Sequence, residues 1–161
     1  MDYHEHKNYF ETAYKTGSDV WTHVTVKNQG KDFVERLAPG ALVLELGSGR
    51  GLFAKRLAES GFRVIGLDFA GDVVKRADEE VKNWGLAGKL KFVEANALDI
   101  PFTDTSFDAV CDFGLFENLY KEDWQTYASE VARVLKPGGF YLNVSLSRET
   151  KNFYNFSPAL F

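Results

Sequence analysis

The run Val43-Leu44-Glu45-Leu46-Gly47-Ser48-Gly49-Arg50-Gly51 constrains this chain more than any other stretch. A short apolar strand carrying one acid meets three glycines at alternate positions, and an apolar-periodic segment opens at Leu52. Such a run is a buried strand, a tight turn and the first turn of a helix. Glycines serve where a backbone bends sharply and a ligand must come close to it. This strand–turn–helix is the nucleoside-holding corner of doubly wound α/β domains. A dinucleotide fingerprint, Gly-x-Gly-x-x-Gly, would place its third glycine at position 52. Leu52 stands there instead, which disfavours a nicotinamide-dependent oxidoreductase.

The rest of the chain alternates between strand and helix periods. Tyr9, Phe10, Ala13 and Tyr14 sit at helical spacing and predict a helix over 5–15, broken by Thr16-Gly17-Ser18-Asp19. Asn28 is placed to cap a second helix with a Phe33, Val34, Leu37 stripe, stopped by Pro39-Gly40. Strands are predicted at 41–46, 62–67, 90–95, 107–112 and 140–146. Helices are predicted at 51–60, 71–84 and 121–135, the last with Trp124, Tyr127, Ala128, Val131 and Leu135 facing inward. Strands separated by helices pair in parallel through right-handed crossovers, with helices on both faces. The expected organisation is a helical cap over 1–40, a Rossmann-like core over 41–147 and an aromatic-rich tail over 148–161.

Bulk properties narrow the function. With 161 residues, 45% of them hydrophobic, the chain has room for one well-filled core. A net charge of −4 argues against a mainly electrostatic nucleic-acid binder. Cys111 is the only cysteine, so no internal disulfide forms, and it falls in a predicted buried strand as inert core. No apolar run reaches membrane-spanning length, and a cytoplasmic location is expected. His4, His6 and His23 lack the acid or cysteine company of a metal site, and none is expected. The sequon Asn143-Val144-Ser145 falls in an interior strand and carries no meaning there.

Asp68 ends the second predicted strand, 21 residues past Gly47. A carboxylate at that strand end can accept from both ribose hydroxyls of a nucleoside. Phe69, next along, is placed either against an adenine face or in the core. Further on come Glu94-Ala95-Asn96-Ala97-Leu98-Asp99-Ile100-Pro101-Phe102, then Ser106-Phe107-Asp108-Ala109-Val110, Asp112-Phe113-Gly114 and Leu135-Lys136-Pro137-Gly138-Gly139. The kinase reading of Asp-Phe-Gly fails for want of the other kinase loops.

Taken in order over 41–146, these segments resemble the motifs of class I S-adenosylmethionine-dependent methyltransferases. The resemblance implies a three-layer, mostly parallel sheet of order 3-2-1-4-5, lacking the family's sixth and seventh strands. An uncovered fifth strand is an association hazard, so a homodimer or tail packing along that edge is expected. The resemblance also implies S-adenosyl-L-methionine as methyl donor and S-adenosyl-L-homocysteine as product. It implies Glu45 near the donor's amino group, the backbone of Gly47, Ser48, Gly49 and Gly51 around it, and Asp68 and Phe69 on the adenosine. Asn96 and Ala97 stand at the adenine, where the family usually has an acid in place of Asn96. Asp112 and Phe113 stand beside the methionine part. The N-terminal run Tyr14 to Trp21 resembles the small-molecule, thiol-type branch, which puts Trp21 over the pocket, with a core-facing tryptophan as the alternative. The acceptor is then a small molecule. Glu117 is the one candidate general base, against the plainer alternative of a solvated acid in a first helical turn. A domain that binds the donor without catalysis is the alternative.

Overall fold

Burial follows the side-chain alternation of a two-faced strand. β1 (Leu42–Leu46) sends Val43 and Glu45 to one side of the sheet and Leu44 and Leu46 to the other, each of the three aliphatic side chains fully buried. It is flanked on both sides in parallel, by β2 (Arg63–Asp68) and by β4 (Phe107–Phe113), so its backbone groups are paired throughout. β3 (Leu90–Glu94) joins β2, and β5 (Leu135–Val144) joins β4, which makes the order β3-β2-β1-β4-β5. The structure, a computed structural model, describes residues 3–23 and 27–145. The predicted tail over 148–161 lies outside the described residues.

Helices cover both faces. α2 (Lys27–Arg36), α3 (Leu52–Glu59) and α4 (Gly71–Asn83) pack on the Val43 face through Phe33, Ala54, Leu57, Val74, Ala77 and Val81. α5 (Trp124–Val134) covers the other face, where Tyr127, Val131 and Val134 meet Leu44, Leu46 and Val110. Cys111 is fully buried on the first face. α1 (Tyr3–Thr16) lies across the carboxyl ends of the strands. Its Lys7 pairs at 2.9 Å with Glu94, the last residue of β3, and its Tyr3 hydroxyl donates to Asp123 at 2.7 Å beyond β4.

Several boundaries differ from expectation for identifiable reasons. The inward stripe of α5 is Tyr127, Val131 and Val134, while Trp124 is 39% exposed and Ala128 is exposed too. Trp124 lies instead against Phe116 and donates its indole N–H to the Leu119 carbonyl. On α1, Tyr9 faces solvent, and the inward stripe runs through Phe10, Ala13 and Tyr14. Asn28 falls inside α2 and not at its cap. β5 begins at Leu135, opposite Phe107, before Pro137-Gly138-Gly139. The ladder then skips to Ala109 opposite Phe140, so the turn residues form a bulge within the strand. Among the described residues no strand lies outside β5, and no helix is long and apolar enough to cross a membrane.

Candidate active site

The three glycines of the β1–α3 turn all take positive φ, at 70°, 49° and 72° for Gly47, Gly49 and Gly51. Space is as restrictive as conformation. A Cβ on Gly49 would stand 2.6 Å from the Tyr14 hydroxyl, and one on Gly51 would run into the Phe92 ring. The turn therefore presents bare backbone to the space between the strand ends and α1. That space is a cavity of about 430 Å³, within the range of small-molecule sites.

Nine of the residues singled out from the sequence line this cavity: Glu45, Gly47, Ser48, Gly49, Asp68, Phe69, Asn96, Ala97 and Phe113. Trp21 lines it as well, edge-on to Phe10 with ring centroids 5.3 Å apart. The Asp68 carboxylate accepts from the Gly49 N–H at 2.8 Å and from the Ala70 N–H at 2.9 Å, one bond to each oxygen. The Phe69 amide also acts on it, and of a carboxylate's roughly four lone-pair sites at least one stays open. Burial pushes this carboxyl above its ordinary value, against the pull of those amides. Phe69 stands edge-on to Phe10, at 5.9 Å, so α1 and β2 meet there.

Glu45 reaches from the centre of β1 to the start of α3, where its Oε2 accepts from the Ala54 N–H at 3.0 Å. It caps the helix from a neighbouring element, satisfying one of the amides that a helix start leaves open. Burial pushes its pKa up to about 8, opposed by the Ala54 bond and helped by the charges of Asp68 and Asp112. Ser48 also lines the cavity, and its Oγ is buried with no hydrogen-bond partner among the described residues. Asn96 is exposed, and its side-chain oxygen accepts from the Leu98 N–H at 2.9 Å in a local turn.

Two expected site residues do not reach the cavity wall. Gly51 sits behind it, as the left-handed residue that starts α3 over Phe92. Asp112 is fully buried in a network of its own. It accepts from the Leu115 and Phe116 N–H groups at 2.7 and 3.0 Å, from the Tyr127 hydroxyl at 2.8 Å and from the Asn143 amide at 3.0 Å. Its carboxylate holds the turn after β4 in shape, with Oδ2 taking three of those bonds and Oδ1 one. Phe113, one residue on, does line the cavity, packed on Phe53 at 4.2 Å.

Sequence reasoning missed the strap that closes the site. Asp19, 3% exposed, holds the Arg50 guanidinium through two bonds of 2.6 and 2.7 Å, and Arg50 donates also to the Tyr14 carbonyl at 2.9 Å. Burial pushes the Asp19 carboxyl up, but Arg50 and the Thr22 hydroxyl outweigh it and hold it below its ordinary value. The strap ties the segment after α1 to the glycine turn. A pair 31 residues apart leaves no periodic trace, whereas Tyr3, His6, Phe10, Ala13 and Tyr14 do follow one helical stripe.

Buried carboxylates raised by burial, with the Arg50 guanidinium already committed to Asp19, suit a ligand that brings positive charge. Bare glycine backbone, an acid at the next strand end and an unpartnered buried hydroxyl suit an adenosyl group. The comparisons agree. A methyltransferase-domain model matches residues 43–139. Botryococcene C-methyltransferase of Botryococcus braunii is 36% identical over 124 residues, 76% of this chain and 32% of that one. The ubiquinone/menaquinone biosynthesis C-methyltransferase UbiE of Pseudomonas fluorescens is 32% identical over 136 residues, 81% of this chain and 49% of that one. The crystal structure of the Burkholderia thailandensis 1,6-didemethyltoxoflavin-N1-methyltransferase holds that compound and S-adenosylhomocysteine. It has the same fold, with a TM-score of 0.73 at 24% identity over 88% of this chain and 64% of that one. The chain belongs to the class I S-adenosylmethionine-dependent methyltransferases, whose cofactor is S-adenosylmethionine. It spans about half or less of the length of these two sequence relatives.

Proposed function

We propose that this chain binds S-adenosylmethionine between the glycine turn and α1 and directs its methyl group to a small-molecule acceptor. The observation that carries this is the joint placement of Gly49 and Asp68, whose backbone N–H and carboxylate meet at 2.8 Å on one wall of the cavity. Asp68 accepts from the ribose hydroxyls, Phe69 and Ala97 flank the adenine, and the Asn96 amide takes its polar edge. The backbone of Gly47 and Ser48, with Glu45 behind it, receives the methionine part beside Phe113. The donor supplies a methyl group already activated by positive sulfur, so the protein has mainly to align the two partners and exclude water. Phe10, Trp21, Leu115 and Leu119 line the acceptor side with apolar surface. The C-methyltransferase names of the relatives support a small, largely apolar acceptor.

Isothermal titration tests the donor site. S-Adenosylmethionine and S-adenosylhomocysteine bind and NAD does not, and Asp68→Ala removes binding of the first two. A donor-binding domain without catalysis is the second reading, favoured by the share of the relatives' length that the chain leaves unmatched. Donor binding with no methylated product across thiols, amines, phenols and carboxylates would establish it. Among the described residues nothing pairs with the outer edge of β5, where Phe140 and Tyr141 are 38% and 42% exposed, and that edge suits a second copy of the chain. Sedimentation velocity reads this directly as dimer or monomer.

A further inference from the structure

Given the methyl-transfer function proposed above, we propose that His6 takes the acceptor's proton, positioned by Tyr120, and that the acceptor is a neutral, mostly apolar molecule methylated at a phenol-type hydroxyl. His6 stands on the inward stripe of α1 and lines the cavity together with Leu115, Asn118 and Leu119. Its imidazole stacks on the Tyr120 ring, centroids 5.1 Å apart and planes 27° from parallel, with Nε2 3.3 Å from the Tyr120 hydroxyl. Tyr120 is itself fixed from α1. Its N–H donates to the Tyr3 hydroxyl at 3.1 Å, that hydroxyl donates to Asp123 at 2.7 Å, and the two rings lie 4.8 Å apart.

An imidazole oriented by a second group at the wall of an apolar cavity has the arrangement of a general base. Burial lowers the His6 pKa against the pull of Glu5, which keeps the ring neutral and able to accept a proton at neutral pH. The positive amino terminus of the chain adds to that lowering. Asp123 acts through Tyr3, and Glu117 lies on the turn Phe116–Asn118. Arg50 and Arg56 also line the cavity, Arg50 held by Asp19, while Lys7 pairs with Glu94 and Lys121 lies over the Trp124 ring at 6.0 Å.

In the tautomer that donates Nε2–H to the Tyr120 oxygen, Nδ1 carries the basic lone pair. The acceptor O–H bond breaks, its proton goes to Nδ1, and its electron pair forms the new O–C bond while the old C–S pair returns to sulfur. The imidazolium then loses its proton to solvent. An amine lone pair or a thiolate needs no such base, and an ionised acceptor would lose solvation among Phe10, Phe113, Leu115 and Leu119. A neutral hydroxyl needs the base and fits the walls.

The test uses the full chain saturated with S-adenosylhomocysteine and titrated with 4-nitrophenol at pH 6, where the free probe is mainly neutral. We expect the probe to bind as the neutral phenol, its absorption shifted from that of the free probe by the hydrogen bond to His6, with the His6 ring carbon signals moving on binding. His6→Asn should bind the probe at least tenfold more weakly, and Tyr120→Phe should shift the His6 titration and reduce the spectral shift, both with S-adenosylhomocysteine affinity within about twofold of the parent. Unchanged probe binding in His6→Asn, its loss in Glu117→Gln alone, or no probe binding by the parent would overturn the assignment. Failure of the parent to bind S-adenosylhomocysteine would instead overturn the methyltransferase function beneath it.

Discussion

Replacing Glu45 with glutamine will flatten the pH dependence of stability. In the folded chain burial holds this carboxyl protonated up to about pH 8, against an ordinary value of 4.5. Between those values the folded state keeps a proton that the unfolded state has released. Stability is then fully present below the lower value and lost as pH rises through the upper one. One proton corresponds to about 1.4 kcal/mol for each pH unit, so the whole window amounts to at most about 5 kcal/mol. Glutamine is neutral throughout, and its carbonyl can still accept from the Ala54 N–H, so the helix cap survives. Urea unfolding followed by circular dichroism from pH 5 to 8.5 measures the two profiles. The Glu45→Gln profile should be shallower by about 1.4 kcal/mol per pH unit near pH 6.5. Asp68 and Asp112, also raised by burial, leave a residual slope in both proteins. Parallel profiles would mean that Glu45 is ionised in the fold and that its surroundings are far more polar than their burial implies.

Binding of the cationic donor should release protons from the same carboxyls, and more than binding of S-adenosylhomocysteine. Titrations in buffers of different ionisation enthalpy read the proton count. Gly49→Ala puts a Cβ 2.6 Å from the Tyr14 hydroxyl at a φ of 49°. It should cost at least about 1 kcal/mol in thermal unfolding and about tenfold or more in donor affinity. Arg50→Met leaves the buried Asp19 carboxylate without its partner and should cost about 3 kcal/mol. Hydrogen exchange should then rise first along α1 and the segment through Asp19. Asp112→Ala strips the acceptor from Tyr127, Asn143 and two backbone amides. It should lower stability by about 3 kcal/mol, and changes in donor affinity should be smaller than those of Asp68→Ala.

Much of the frame was legible because it rests on local rules. Alternation made Val43 to Leu46 a strand, Leu52 declined the dinucleotide spacing, and an acid at the end of the next strand pointed into the crevice. The order of segments from Gly47 to Gly139 carried the fold and the family. Where contacts cross elements, the same rules gave less. Leu135 had the right spacing for the core, yet Val134 took the place on α5 because the strand opposite Phe107 starts at Leu135. Asp112 had the right position for a ligand, yet two of its hydrogen-bond donors, Tyr127 and Asn143, come from α5 and β5.

The chain's order of residues determined by itself which backbone must bend, since only glycine tolerates three left-handed positions in five residues, and which acid stands at the next strand end. Tertiary structure alone decided what closes over that bend. The Asp19–Arg50 strap, the Tyr14 hydroxyl against Gly49 and the His6–Tyr120 pair join residues dozens of positions apart, or more than a hundred. Such pairs have no period to read. They exist because α1, with no strand of its own, buries its aromatic stripe across the strand ends and makes those ends a cavity.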